Sequence, residues 1–244
     1  MRTLKAYGKT DVGRARSGNQ DSFVCGVLAD DAMFAVVCDG MGGANGGNIA
    51  SSIAVSTLSE RIIDVFRSDL GVNSVRNLIE SAIVAANIDI FDMAMATPEL
   101  RGMGTTVVAV IITGGHAHIA HVGDSRAYLD TPEALSQLTR DHSIVQDMVE
   151  KGKLTRDQAK THPRKHFITR ALGVDQSVEC DYMEIDLDDS AGLLICTDGL
   201  TNMVDSDDIH RLIHANESET APERLIHAAN MAGGSDNITA VLIR

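Results

Sequence analysis

Five aspartates recur beside short small-residue turns in this 244-residue chain. They are Asp21 in RSGNQDSF, Asp39 in AVVCDGMGG, Asp124 in IAHVGDSR, Asp198 in LLICTDGL and Asp236 in MAGGSDN. Three of them close apolar runs, Ala35 to Cys38, Ile119 to Val122 and Leu193 to Cys196. Each run reads as a buried strand that stops at the acid, so adjacent strands would deliver their carboxylates to one edge. Carboxylates gathered in a partly buried site repel one another and lose hydration, so they take up protons or bind cations. A donor set of carboxylates alone suits Mg2+ or Mn2+ over Zn2+. One isolated Asp-Gly is ordinarily a turn. Three strands ending alike, with a further acid before a final strand, form a pattern that turns do not require.

In order, RSGNQD, DGMGG, GDSR, DGL and GGSDN resemble the metal-dependent protein phosphatases of the type 2C group, in their compact bacterial form, from about Thr10 to Val241. The resemblance implies that Asp39 bridges two metal ions, that Gly40 lends a carbonyl, and that Asp198 and Asp236 complete the first metal site. It implies that Asp21 holds metal-bound water at the second site, and that Asp124 shares a third, weaker ion with Asp198. The phosphate-binding arginine of the family falls on Arg16, with Arg14 as the competing candidate. Two neighbouring ions can activate a water and clamp the attacking and leaving oxygens of an in-line displacement. The planar fork of an arginine can take two phosphate oxygens.

The chain carries 34 acidic against 21 basic residues, a formal charge of −13. That balance disfavours a nucleic-acid backbone or an anionic membrane as partner. Attraction for a phosphorylated protein must then come locally, from metal ions and Arg16. MRTLKAYGKTDVG lacks the apolar core of a signal peptide, and no stretch has the roughly 18 apolar residues of a membrane span. Cys25, Cys38, Cys180 and Cys196 show no metal or redox spacing, and Cys38 and Cys196 read as small buried hydrophobes. These features point to the cytoplasm; a monomer is expected. The motifs span both halves and no linker divides them, so residues 1–244 are expected to form a single catalytic domain.

Two long helices should follow the first strands. One shows Ala50, Ala54, Leu58, Ile62 and Val65 at helical spacing, the other Ile79, Ile83, Ala86 and Ile90. Strands are expected over Thr105 to Ile112, His116 to Val122, Met183 to Leu187, Leu193 to Cys196 and Ile238 to Ile243. A last helix should start at a Thr220/Glu223 capping box and stop near Gly233. This succession argues α+β, which the resemblance sharpens to a central antiparallel β-sandwich with helices on both outer faces. Asp141 to Phe167 reads as two short helices. Ile144, Val145, Met148 and Val149 form one apolar face ending at Gly152, and Thr155 with Gln158 caps the second. In the family this segment is the flap beside the active site; here Arg156, Lys160, Arg164 and Lys165 could meet acidic or phosphorylated substrate segments, with a solvated helix face as the alternative, favoured for Arg156 and Lys160.

The chain departs from the family pattern in two places. Met41 stands where eukaryotic members often carry a histidine proposed as general acid, leaving metal-bound water or another side chain such as His142 or His162 for that role. GGANGGN replaces GGHxxGE, with Ala44 and Asn48 for the histidine and glutamate, and Asn48 suits a helix start. The expected activity is hydrolysis of phosphoserine and phosphothreonine in proteins by a metal-bridging hydroxide, without a phosphoenzyme, using two to three Mg2+ or Mn2+ ions and opposing a serine/threonine kinase. The alternatives are a phosphoprotein-binding pseudo-phosphatase and a small-molecule phosphatase on the same fold.

Overall fold

The computed structural model describes residues 4–29 and 31–244, and their side chains except for 43–45. In chain order the elements are β1 (Ala6–Asp11), β2 (Asp21–Ala29), β3 (Ala32–Met41), α1 (Gly43–Val65), α2 (Val72–Ala96), β4 (Gly104–Thr105), β5 (Val107–Thr113), β6 (His116–Val122), β7 (Arg126–Asp130) and β8 (Leu135–Gln137). There follow α3 (Ile144–Glu150), α4 (Arg156–Lys160), β9 (Asp181–Asp186), β10 (Gly192–Cys196), α5 (Asp198–Thr201), α6 (Ser206–His214), α7 (Ala221–Met231) and β11 (Ile238–Ile243). One sheet has the order β2-β3-β5-β6-β9, with β4 on the end of β3, and the other β1-β11-β10-β7-β8. Every pairing is antiparallel.

Period-2 alternation sorts the central strands into three apolar layers. Phe34, Val36 and Cys38 of β3 meet α1 and α2, while Met33, Ala35 and Val37 point into the layer between the sheets. On β10, Leu194 and Cys196 meet the layer of α5, α6 and α7, and Leu193 and Ile195 point between the sheets. Both faces of these strands are covered, which is why they read as unbroken apolar runs and not as alternating ones. The α+β sandwich with helices outside both sheets is therefore the observed architecture. Among the described residues no helix is long and apolar enough to cross a membrane.

Local expectations mostly hold, with informative exceptions. Ala50, Ala54, Leu58 and Ile62 are buried, but Val65 is exposed and Phe66 closes the stripe instead, because the helix ends there. Asn48 does not start α1: the helix begins five residues earlier, after Gly42, and Asn48 is exposed on it. Ala44 lies on α1, but its side chain is outside the described residues. The strand expected from Thr105 breaks at Thr106. Thr220 makes no capping box; a 3-10 turn over Ser218–Thr220 runs straight into α7, and Thr220 Oγ1 donates to Glu217 O. The Thr155–Gln158 capping box on α4 is present.

The end of β3 that carries Asp39 is fastened to α1 by two glycines. A Cβ on Gly40 would stand 2.0 Å from the carbonyl oxygen of Gly47, a contact backbone cannot relieve without moving. Gly40→Ala is expected to lower stability in urea unfolding by about 1–3 kcal/mol, the cost of overpacking. Gly18→Ala, which meets open space, should change it by less than about 0.5 kcal/mol.

Candidate metal and phosphate site

Asp39 lies within β3, which continues to Met41, so the strand does not stop at the acid. Nor are the three runs before Asp39, Asp124 and Asp198 adjacent strands of one sheet. β3 and β6 belong to one sheet and β10 and β11 to the other, and the motifs meet at one end of the sandwich. Asp39 shares the inward parity of Ala35 and Val37, and Asp21 is its direct partner across β2 and β3. Opposed cross-strand side chains stand about 5 Å apart. At that spacing two like charges repel by roughly 3 kcal/mol for an effective dielectric of about 20.

Asp21 reaches across to the second sheet. Its Oδ2 accepts hydrogen bonds from Thr197 Oγ1 (2.9 Å) and Thr239 Oγ1 (2.7 Å), while its buried Oδ1 has no partner. Burial pushes the Asp21 carboxyl up to about 7, against the pull of the two threonine donors. Asp39 is raised by burial and then by the charges of Asp21 and Asp198. Burial also raises Asp124 and Asp198, with Asp198 and Asp236, respectively, as the leading charged contributors.

The acids are held by polar side chains on neighbouring turns. Thr106 accepts the Asp39 N–H on Oγ1 (2.9 Å), donates its own N–H to Asp39 O (2.9 Å) and shares a hydroxyl bond with Ser125 (2.7 Å). It thereby joins β3 to the loop of Asp124. Gly123, at φ 105°, leaves room for Thr106, whose Cγ2 would be 2.5 Å from a Cβ at that position. Asp198 opens α5 and accepts from Asn202 Nδ2 (2.8 Å) on Oδ2; its Oδ1 is buried without a partner. Asp236 Oδ2 accepts from Arg16 Nη2 at 2.9 Å, and this bond holds the guanidinium pKa above its usual value. Asn237 braces the Arg16 loop by accepting from Gln20 N (2.8 Å) and donating to Val12 O (2.9 Å) and Gly18 O (3.0 Å).

The resulting cleft encloses about 560 Å3 and is lined by Arg16, Asp39, Gly40, Asp124, Asp198 and Asp236, with Met41, Thr106 and His166 among the other wall residues. Asp21 lies outside the wall, opposite Asp39. Arg14 does not line the cleft; its backbone N–H donates to Gly234 O at 2.7 Å. Arg126 does not hold Asp124 but forks onto Asp141 (2.8 and 2.6 Å).

Neither histidine expected as an alternative proton donor reaches the cleft. His142 is buried, accepts the Gly123 N–H on Nδ1 (3.1 Å) and turns Nε2 toward Asp181 (3.3 Å). His162 accepts the Arg164 N–H on Nδ1 (3.1 Å). The imidazole in the cleft wall is His166, which lowers the Asp198 carboxyl electrostatically against the larger effect of burial. Sequence reasoning missed it because nothing in RKHFITR distinguishes one flap histidine from another. The roles of Thr106, Thr197, Thr239 and Asn237 were likewise hidden, since each depends on a contact between distant strands.

The cluster suits hard cations. Its donors are carboxylate oxygens, two of which are buried and unpartnered, and the strongest charged neighbours of each acid are mostly other acids. The family model for protein phosphatase 2C matches residues 13–231. The serine/threonine phosphatase Stp of Listeria monocytogenes is 38% identical over 242 residues, covering 98% of this chain and 95% of its own. The crystal structure of Stp1 from Staphylococcus aureus superposes with a TM-score of 0.93 at 32% identity, covering 99% of this chain and 95% of that one. The catalytic domain of the phosphatase PstP, solved with two manganese ions, has a TM-score of 0.85 at 30% identity, covering 98% and 97%. With its motifs gathered in one cleft and this match over nearly its whole length, the chain belongs to the protein phosphatase 2C family.

Proposed function

We propose that the chain is a Mg2+- or Mn2+-dependent protein serine/threonine phosphatase, acting in the cytoplasm on substrates of a serine/threonine kinase. The observation that carries this reading is the meeting of Asp39, Asp124, Asp198, Asp236 and Arg16 in one cleft. Asp39, the Gly40 carbonyl, Asp198 and Asp236 would hold the first ions, Asp21 would order the shell behind them, and Asp124 with Asp198 would take a third. Such ions supply an activated water as nucleophile and neutralise charge on the phosphoryl oxygens.

The chain's own groups orient the substrate. Asp236 engages one N–H of Arg16, and a guanidinium carries five, so the fork retains donors for phosphate oxygens. The Arg16 side chain is 53% exposed, which leaves it free to turn toward an incoming phosphate while Asn237 keeps its loop in place. His166 is the side chain in the wall able to give a proton to the departing serine or threonine oxygen, the role Met41 cannot fill.

A second groove of about 870 Å3 shares Asp124 and Asp198 with the cleft and runs along α3 and α4 past Val145, Arg156, Lys160 and Lys165. A polypeptide substrate has use for such a groove and a small ester does not, which favours the protein-phosphatase reading over the small-molecule one. Lys160 already pairs with Asp205 at 3.0 Å, whereas Arg156 and Lys165 point to contacts with substrate.

Kinetics on one phosphopeptide with and without Mn2+ test the activity directly, and turnover independent of added metal or absent in its presence would contradict it. In the same assay Arg16→Lys should raise KM several-fold, because lysine keeps the charge and loses the fork. Arg14→Lys should stay near wild type, and the reverse ranking would move the phosphate clamp to Arg14. His166→Gln should lower kcat by about 100-fold or more on a phosphoserine peptide but much less on an aryl phosphate, whose leaving group needs no proton. Equal losses on both would assign His166 a packing role instead.

A further inference from the structure

The end of the second sheet away from the cleft holds a different set of donors. β10 pairs with β7 so that Cys196 lies opposite Arg126, near the catalytic acids, and Gly192 lies opposite Asp130. Four residues of strand place Asp130 roughly 13 Å from Arg126. Asp130 is fully buried and His210 and His214 of α6 stand over it. Ile209 and Ile213 anchor α6 in the core, so the histidines, four residues apart, share the adjoining flank.

Both Nε2 atoms face Asp130 Oδ1, His214 at 3.0 Å and His210 at 3.8 Å, and the two rings are 4.5 Å apart between centroids. An ion bound tetrahedrally at about 2.0–2.1 Å separates its ligands by roughly 3.3 Å, and the two observed spacings bracket that value. The His210 and His214 side chains are 22% and 28% exposed over a carboxylate at 0%, an arrangement open to solvent at the imidazoles and closed at the acid. Arg244 Nη2 pairs with the other oxygen, Asp130 Oδ2, at 3.2 Å and lies 3.4 Å from His214 Nε2. Supporting groups of this kind commonly hold the second oxygen of a ligating carboxylate.

We propose that Asp130, His210 and His214 form a zinc site, separate from the catalytic centre and selective for a different class of ion. Two imidazoles and one carboxylate suit Zn2+, whereas the all-oxygen catalytic set suits Mg2+ or Mn2+. Binding through Nε2 leaves the ring proton on Nδ1, so His214 gives up its bond to Asp130 and His210 its bond to Thr131 O (2.9 Å). The ion would pin α6 to the end of β7. The other histidine pair near a carboxylate, His121 and His142 with Asp181, does not qualify. His142 Nδ1 already accepts the Gly123 N–H, and a metal on its Nε2 would require an imidazolate. The proposal is independent of the phosphatase reading.

Calorimetric titration of Zn2+ into the whole chain carrying Asp39→Asn, with excess Mg2+ present, measures binding away from the catalytic centre. One Zn2+ per chain is expected. Adding His210→Ala or His214→Ala should weaken it by more than the roughly 10–100-fold that loss of a supporting group costs, and should abolish the rise in unfolding midpoint that Zn2+ gives the parent. Both histidines are partly exposed, so circular dichroism should show the variants folded. Binding of equal strength with and without the histidines overturns the site, as does failure of the Asp39→Asn parent to bind Zn2+.

Discussion

The repulsion among five carboxylates at one end of the sandwich is the constraint on which the rest of the structure depends. Asp21 and Asp39 are direct neighbours across two strands, and Asp198, Asp236 and Asp124 join them from other strands and loops. Burial and mutual charge raise four of these carboxyls, and hydrogen bonds from Thr197, Thr239 and Asn202 offset only part of it. An acid whose folded pKa lies above its unfolded value binds more protons when folded. Its protonated form supports the fold at low pH, and that support is lost as pH rises, for Asp21 across the interval from about 4 to about 7. Divalent ions of the proposed kind would remove the conflict at neutral pH, and one cluster would then link stability to chemistry.

The scaffold makes that conflict tolerable by fixing the acids from both sheets. Thr106 ties Asp39 to the Asp124 loop through Ser125, Asp21 bonds to threonines of the opposite sheet, and Asn237 stitches the Arg16 loop to the strand after Asp236. Each brace is a neutral hydroxyl or amide. A neutral donor can hold a carboxylate without competing with the cation that must approach its other oxygen.

How much of this was legible in the sequence depended on range. Central strands with both faces covered read as continuous apolar runs, which located β3, β6, β10 and β11, and the helical periodicity of Ile79 to Ile90 located α2. The short strands β7 and β8 were not read, because Arg126 to Asp130 mixes charged and apolar residues and Leu135 to Gln137 is largely exposed. The acids were found because their motifs are local. The idea that the runs before Asp39, Asp124 and Asp198 are adjacent strands was not right, since sheet order is a long-range property: β5 separates β3 from β6, and β10 lies in the other sheet. His166 and the zinc-type triad escaped for the same reason: HRLIH is an ordinary helix flank until β7 brings Asp130 beneath it.

The central claim is that the carboxylate cluster opposes folding until cations occupy it. Thermal unfolding of wild type and Asp39→Asn, in chelator and in saturating Mn2+, tests it most directly. In chelator the variant should unfold at the higher temperature, because it lacks one of the repelling charges. Mn2+ at about 100 times its dissociation constant should stabilise wild type by about 2.7 kcal/mol, a rise of several degrees at roughly 2–4 °C per kcal/mol, and should move the variant far less. A variant less stable than wild type in chelator, with both proteins gaining equally from Mn2+, would contradict the account.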